Sequence, residues 1–174
     1  SGQVLIESSS NDYSWMPQSN LLYYTRNGLQ GKELVSIDPV TKTENVLSSN
    51  LPDGWFIFSP TEEYLLFTVS EEGPKKDKDM EEILVPDDRQ PGWRNRSFLH
   101  KYDLATGVFE RLTYGHNSTS LNDISQDGRY LLFTSQERTL TKRPFSITTL
   151  YRMDLQTMET EALLKDPFIG RATF

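Results

Sequence analysis

Ser125 to Ser135 reads SQDGRYLLFTS, and nearly the same phrase stands twice more in the chain, as SPTEEYLLFTV from Ser59 and, more diverged, as MPQSNLLYYTR from Met16. Aligned on Pro17, Pro60 and Gln126, each phrase reaches a threonine eight positions on: Thr25, Thr68 and Thr134. A second phrase follows each first one: LVSIDPVT (Leu34–Thr41), LHKYDLAT (Leu99–Thr106) and LYRMDLQT (Leu150–Thr157). All three share a leucine, an aspartate four residues on and a threonine three beyond that. Two independent phrases in one order, repeated, define a structural repeat.

Each phrase has a physical meaning. Tyr130-Leu131-Leu132-Phe133 is a short apolar run between turn residues, the pattern of a strand covered on both faces. Asp127-Gly128 before it is a hairpin signal, because Asp bonds its own following backbone and Gly accepts a positive φ. In the second phrase, Asp103 to Gly107 fits a type I turn with Gly107 in the left-handed position, joining LHKY to VFERLT. Lys42 and Met158 hold the position of Gly107 in the other copies, so those turns must form without glycine.

Each repeat therefore holds four strands: one ending near Trp15, Phe58 or Ile124, the YLLF-type strand, the strand entering the Asp-x-x-Thr turn, and one ending at Leu47, Leu112 or Leu163. Four-stranded antiparallel units recurring in this way are the signature of propeller blades. Pro17 to Pro60 is 43 positions and Pro60 to Gln126 is 66. The first suits a blade of about 40 to 45 residues, and the second requires an insertion. The expected fold is all-β: a partial β-propeller with blade A over 11–47, blade B over 54–112 with an insertion at 71–96, and blade C over 120–163. Residues 3–7 and 168–174 are expected as strands of adjacent blades. Three blades are fewer than the roughly four to eight that close a ring, so the chain reads as an arc of a larger propeller.

Composition narrows the function. The 174 residues carry 18 Lys and Arg against 25 Asp and Glu, a net charge of −7. That excludes a broad attraction to nucleic acid or to an anionic membrane surface. No cysteine and only two histidines leave little for a metal site, and no cofactor is expected. No apolar run approaches the roughly 18 residues that span a bilayer, so membrane insertion is not expected. The start, SGQVLIESSS, lacks the pattern of a signal peptide.

The phrases SPTEEYLLFT and SQDGRYLLFT resemble the S-P-D-G repeat of TolB-type propellers, and HKYDLATGVFERLTYG resembles the Y-D-x-x-T-G phrase that follows it there. Similar phrases occur in the N-terminal propellers of the prolyl oligopeptidase family of serine peptidases, which includes dipeptidyl peptidase IV and acylaminoacyl peptidase types, often with a charged insertion before the second phrase. Here that insertion is VPDDRQPGWRNRSFL, Val85–Leu99. The resemblance implies a non-catalytic propeller that gates or positions peptide substrates, with the chemistry on an α/β-hydrolase domain of the parent chain. No G-x-S-x-G elbow occurs here, and neither His100 nor His116 is expected to be catalytic. The alternative is a TolB-like module that binds a peptide or protein ligand with no peptidase attached. The resemblance favours a periplasmic or secreted location slightly over a cytoplasmic one.

Loop lengths point to a face. In a four-stranded meander the first and third loops emerge at one end and the second at the other. From first anchor to Asp the blades span 21, 43 and 28 positions. All the excess falls in the second loop, Glu71 to Arg96 in blade B and Gln136 to Arg143 in blade C. Long loops on a rigid scaffold are common binding sites. Arg89, Trp93, Arg94 and Arg96, with Arg138 and Arg143, are the candidate binding residues, able to hold a carboxylate bidentately or to stack on a planar group. The alternative is that Trp93 packs the loop onto its own blade while the arginines pair with Asp87 and Asp88. A further alternative for the whole chain is self-association of two arcs through exposed edge strands.

Overall fold

Leu65, Leu66 and Phe67 are fully buried, and Leu131, Leu132 and Phe133 nearly so, which a strand achieves only with material on both faces. In the computed structural model, which describes residues 13–73, 95–138, 143–144 and 146–174, each of these runs is the second strand of a four-stranded antiparallel sheet. Blade A comprises β1 (Ser14–Trp15), β2 (Leu22–Asn27), β3 (Lys32–Ile37) and β4 (Glu44–Ser48). Blade B comprises β5 (Trp55–Phe58), β6 (Tyr64–Glu71), β7 (Arg96–Asp103) and β8 (Phe109–Arg111). Blade C comprises β9 (Thr119–Ile124), β10 (Tyr130–Arg138), β11 (Ser146–Asp154) and β12 (Thr160–Asp166). Within each blade the strands neighbour one another in chain order, a simple meander. No helix occurs among the described residues.

The blades stack side by side, B between A and C. Met16, Leu34 and Leu51 of the A side pack against Phe58, Leu65, Phe67 and Tyr102 of blade B. The other face of B presents Tyr64, Leu66, Leu99 and Leu112 to Ile124, Leu131, Phe133 and Met153 of blade C. Among the described residues no core joins A to C, so the row is an open arc.

The repeat extends to details that sequence patterns leave unspecified. The outer strand slips register at the same place in each copy: β3 and β4 shift between Leu34 and Val35, and β11 and β12 between Leu150 and Tyr151. In blade B, the amides of both Leu112 and Thr113 donate to the Leu99 carbonyl. These bulges leave Leu47, Leu112 and Leu163 as the extra residues of the outer strand. The third turn also repeats: Gly107 has φ 70°, and Lys42 and Met158 each take φ 62° in its place. Residues 168–174, expected as the first strand of a following blade, are irregular. A lone segment has no ladder partner, and the Phe174 amide instead donates to Asp123 Oδ2 at 3.0 Å.

Candidate functional site

The first and third turns of all three blades gather on one face, each fixed by its own side chains. Asp103 Oδ1 accepts from the Thr106 hydroxyl and amide, both at 2.8 Å, and Asp38 Oδ1 accepts from the Val40 amide at 2.7 Å. Asp154 Oδ1 takes the Gln156 amide while its Oδ2 receives both Nε and Nη2 of Arg129 at 2.9 and 2.7 Å. These bonds to the charged form hold all three carboxyls below their ordinary range: for Asp103 the Thr106 hydroxyl dominates, for Asp38 the Val40 amide, for Asp154 the Arg129 guanidinium. Asp127 is lowered likewise, first by the Ser125 hydroxyl at 2.6 Å.

Contacts between turns lock the face together. The Leu104 amide donates to the Glu63 carbonyl and the Leu155 amide to the Arg129 carbonyl, joining first and third turns within blades B and C. Across the A–B junction, Glu62 Oε1 accepts the amides of Gln18 and Ser19 at 2.6 and 2.7 Å. Across the B–C junction, the Tyr64 hydroxyl donates to the Gly128 carbonyl at 2.6 Å, and burial pushes that phenol's pKa up. Gly128 has φ 71°, and a Cβ there would meet Thr61 Cγ2 at 3.1 Å, so glycine suits both backbone and junction.

Between these turns lies a groove of about 890 Å³ to which all three blades contribute. Its charged lining comprises Glu62, Glu63, Lys101, Asp103, Asp127 and Arg129. Most are engaged: Glu62 by two amides, Asp103 and Asp127 by their turns, Arg129 by Asp154. Lys101 differs. Its ammonium lies 4.9 Å from the centre of the Tyr64 ring, and among the described residues it has no ion-pair partner. It can donate to a ligand carboxylate or carbonyl without breaking an existing hydrogen bond or ion pair.

The opposite face carries the second loops. Arg96 opens β7 there, where its Nε donates to the His116 carbonyl and its Nη1 to the Asn95 carbonyl at 2.9 Å. Arg138 ends β10 and Arg143 lies in the same loop, both exposed. Arg89, Trp93 and Arg94 lie outside the described residues. Sequence reasoning missed Arg111 on this face: its guanidinium sits 3.8 Å over Phe98 and pairs with Glu71 at 2.6 Å. It also missed Trp55, which is 63% exposed on the inner strand. The groove on the turn face was missed as well, because its residues are up to 140 positions apart in sequence, from Met16 to Gln156. His100 stacks on Phe109 at 4.9 Å, and burial lowers its pKa. That is a packing role. Among the described residues no three His, Asp or Glu side chains are gathered as a metal site, and no helix is long and apolar enough to cross a membrane.

No protein-family model matches the chain, and no curated protein sequence matches it. Its likenesses are to solved structures. The tricorn protease aligns over 88% of this chain and 13% of its own, at 12% identity and a TM-score of 0.52. TolB from Acinetobacter baumannii aligns over 87% of this chain and 31% of its own, at 21% identity and TM-score 0.47. The acylaminoacyl peptidase of Pyrococcus horikoshii aligns over 90% of this chain and 25% of its own, at 17% identity and TM-score 0.47. The chain thus spans less than a third of the length of each. The shared feature is the fold, and the neighbours include both kinds of protein whose repeat phrases it resembles.

Proposed function

We propose that this chain is a non-catalytic arc of the propeller of a prolyl oligopeptidase-like serine peptidase, positioning peptide substrates for chemistry on a separate hydrolase unit. The observation that carries the binding role is the groove spanning three blades. Its volume falls within the range of about 300–1,000 Å³ typical of ligand sites. Its shape across successive turns suits an extended ligand, and Lys101 offers an uncommitted cation to a peptide carboxylate or carbonyl. The peptidase assignment is supported by the repeat phrases and by the fold shared with the tricorn protease. Arg96, Arg138 and Arg143 on the second-loop face, with Arg89, Trp93 and Arg94, form a proposed second contact set. The proposed location is periplasmic or secreted.

A second reading, a TolB-like binding module without peptidase activity, is supported by the repeat phrases SPTEEYLLFT and SQDGRYLLFT, which resemble those of TolB-type propellers. The product of the natural reading frame, assayed on short chromogenic peptides with and without a serine-directed inhibitor, separates the two. The peptidase reading predicts inhibitor-sensitive cleavage. It also predicts that Lys101→Glu raises KM severalfold with kcat unchanged, the mark of lost ground-state binding, while Arg138→Glu acts less. Absence of cleavage, with a peptide still bound and lost in Lys101→Glu, establishes the binding module instead.

A further inference from the structure

The two junctions share one strand register but are filled differently. In blade B, Phe109 pairs with Tyr102 across β7 and β8, on the face turned to blade A. Its ring stacks on His100 at 4.9 Å and meets Phe67 edge-on at 5.4 Å, so a phenyl ring occupies the outer corner of that face. The Tyr102 hydroxyl then closes the junction by a hydrogen bond with the Ser48 hydroxyl of blade A at 2.8 Å. In blade C the same ladder positions hold Thr160 opposite Met153, and Tyr151 opposite Phe133, on the face turned to blade B. Thr160 thus stands where Phe109 stands, and Met153 where Tyr102 stands.

Threonine in place of phenylalanine removes a ring, and methionine in place of tyrosine removes the hydroxyl that bridges the blades. The space left is a pocket of about 450 Å³ at the outer edge of the B–C junction. Phe133, Tyr151 and Met153 line it from blade C and Leu112 from blade B, with Met158 and Thr160 at its border. The Phe133 and Tyr151 rings are stacked 5.2 Å apart and 15° from parallel, which gives the pocket a flat aromatic wall. Among the described residues no charged side chain lines it. Its polar groups are hydroxyls, and those of Ser135, Tyr151 and Thr160 make no hydrogen bond among the described residues.

We propose that this pocket is a binding site for one neutral aromatic ring, which takes the place that Phe109 fills in the neighbouring blade. A mostly apolar cavity holds water poorly, because buried water needs several polar partners. A ring that displaces such water gains the burial of its own surface. The thioethers of Met153 and Met158 favour an aromatic edge over an aliphatic chain. A charged ligand would lose its hydration and find no counter-charge, whereas the bordering hydroxyls can meet a single phenol O–H or ring N–H. The pocket shares no lining residue with the turn-face groove, so the proposal does not rest on the role of that groove.

The test titrates the 174-residue chain with p-cresol, with 4-hydroxybenzoate and with N-acetyltyrosine amide, followed by amide NMR shifts. The proposal predicts saturable shifts for p-cresol centred on Leu112–Tyr114, Tyr151–Met153 and Met158–Thr160, and binding of 4-hydroxybenzoate weaker by roughly tenfold or more. Thr160→Phe supplies the ring from the chain itself at an exposed strand position, and should weaken p-cresol by roughly tenfold or more. Thr160→Ser keeps the binding. Circular dichroism verifies that both variants fold; were Thr160→Phe not to fold, the map of shifts in the parent chain decides. N-acetyltyrosine amide binding more tightly than p-cresol supports the site with a peptide-borne ring as its ligand, and the reverse order supports it with a free small molecule. Absence of saturation, shifts centred on the turn-face groove, equal binding of the charged analogue, or undiminished binding to a folded Thr160→Phe overturns the proposal. Binding that arises only in Trp93→Ala also overturns it, by giving the pocket to a ring of this chain.

Discussion

Met158 and Lys42 hold a left-handed backbone at φ 62° where Gly107 takes φ 70°. A side chain in that region is disfavoured by roughly 1–2 kcal/mol, while glycine costs about 0.5–1 kcal/mol through the freedom it adds to the unfolded chain. The first effect is the larger. Met158→Gly should therefore raise stability by about 0.5 kcal/mol and Gly107→Ala lower it by about 1 kcal/mol, read as opposite shifts of the urea midpoint. This strain was legible in the sequence, because aligning the second phrases set Lys42 and Met158 against a glycine. Glu62 was not legible in the same way. It sits at φ 61° opposite Gly128, but its retention there reflects two amides of a neighbouring blade, which no local pattern reveals.

At the scale of elements, the second and third strands of each blade were readable because their apolar runs are buried on both faces and end in turn residues with specific backbone demands. The first strands were harder, since Ser14–Trp15 pairs over only two residues. The bulges behind Leu47, Leu112 and Leu163 were hidden, because an extra residue in an edge strand leaves no periodic trace. Junction contacts were hidden for another reason: Tyr64 and Tyr130 look alike in sequence, yet among the described residues only the Tyr64 hydroxyl has a neighbour to bond. Tyr64→Phe leaves the Gly128 carbonyl short of its donor and should cost about 1–2 kcal/mol. Tyr130→Phe in the same 174-residue chain should stay within about 0.5 kcal/mol of the parent. Equal losses in a urea titration would mean that the junction bond contributes nothing.

At the scale of the molecule, the repeat made the three-bladed architecture readable, and the loop-length argument correctly separated the faces. Its weakness was to weigh only length. The turn face, whose loops are all short, holds the groove, because shortness lets five turns of the three blades approach one another closely enough to share a cavity. The arc also implies graded stability, with blade B sandwiched and the outer strand of blade C uncovered on one side. Residue-resolved amide exchange of the 174-residue chain tests this most directly. The slowest amides should be those of Leu65–Phe67 in the middle blade, with Leu131–Phe133 next, and Thr160–Asp166 should be fastest among the strands of blade C. Protection of β12 equal to that of β6, or exchange at unfolded rates in blade B, would contradict the open arc.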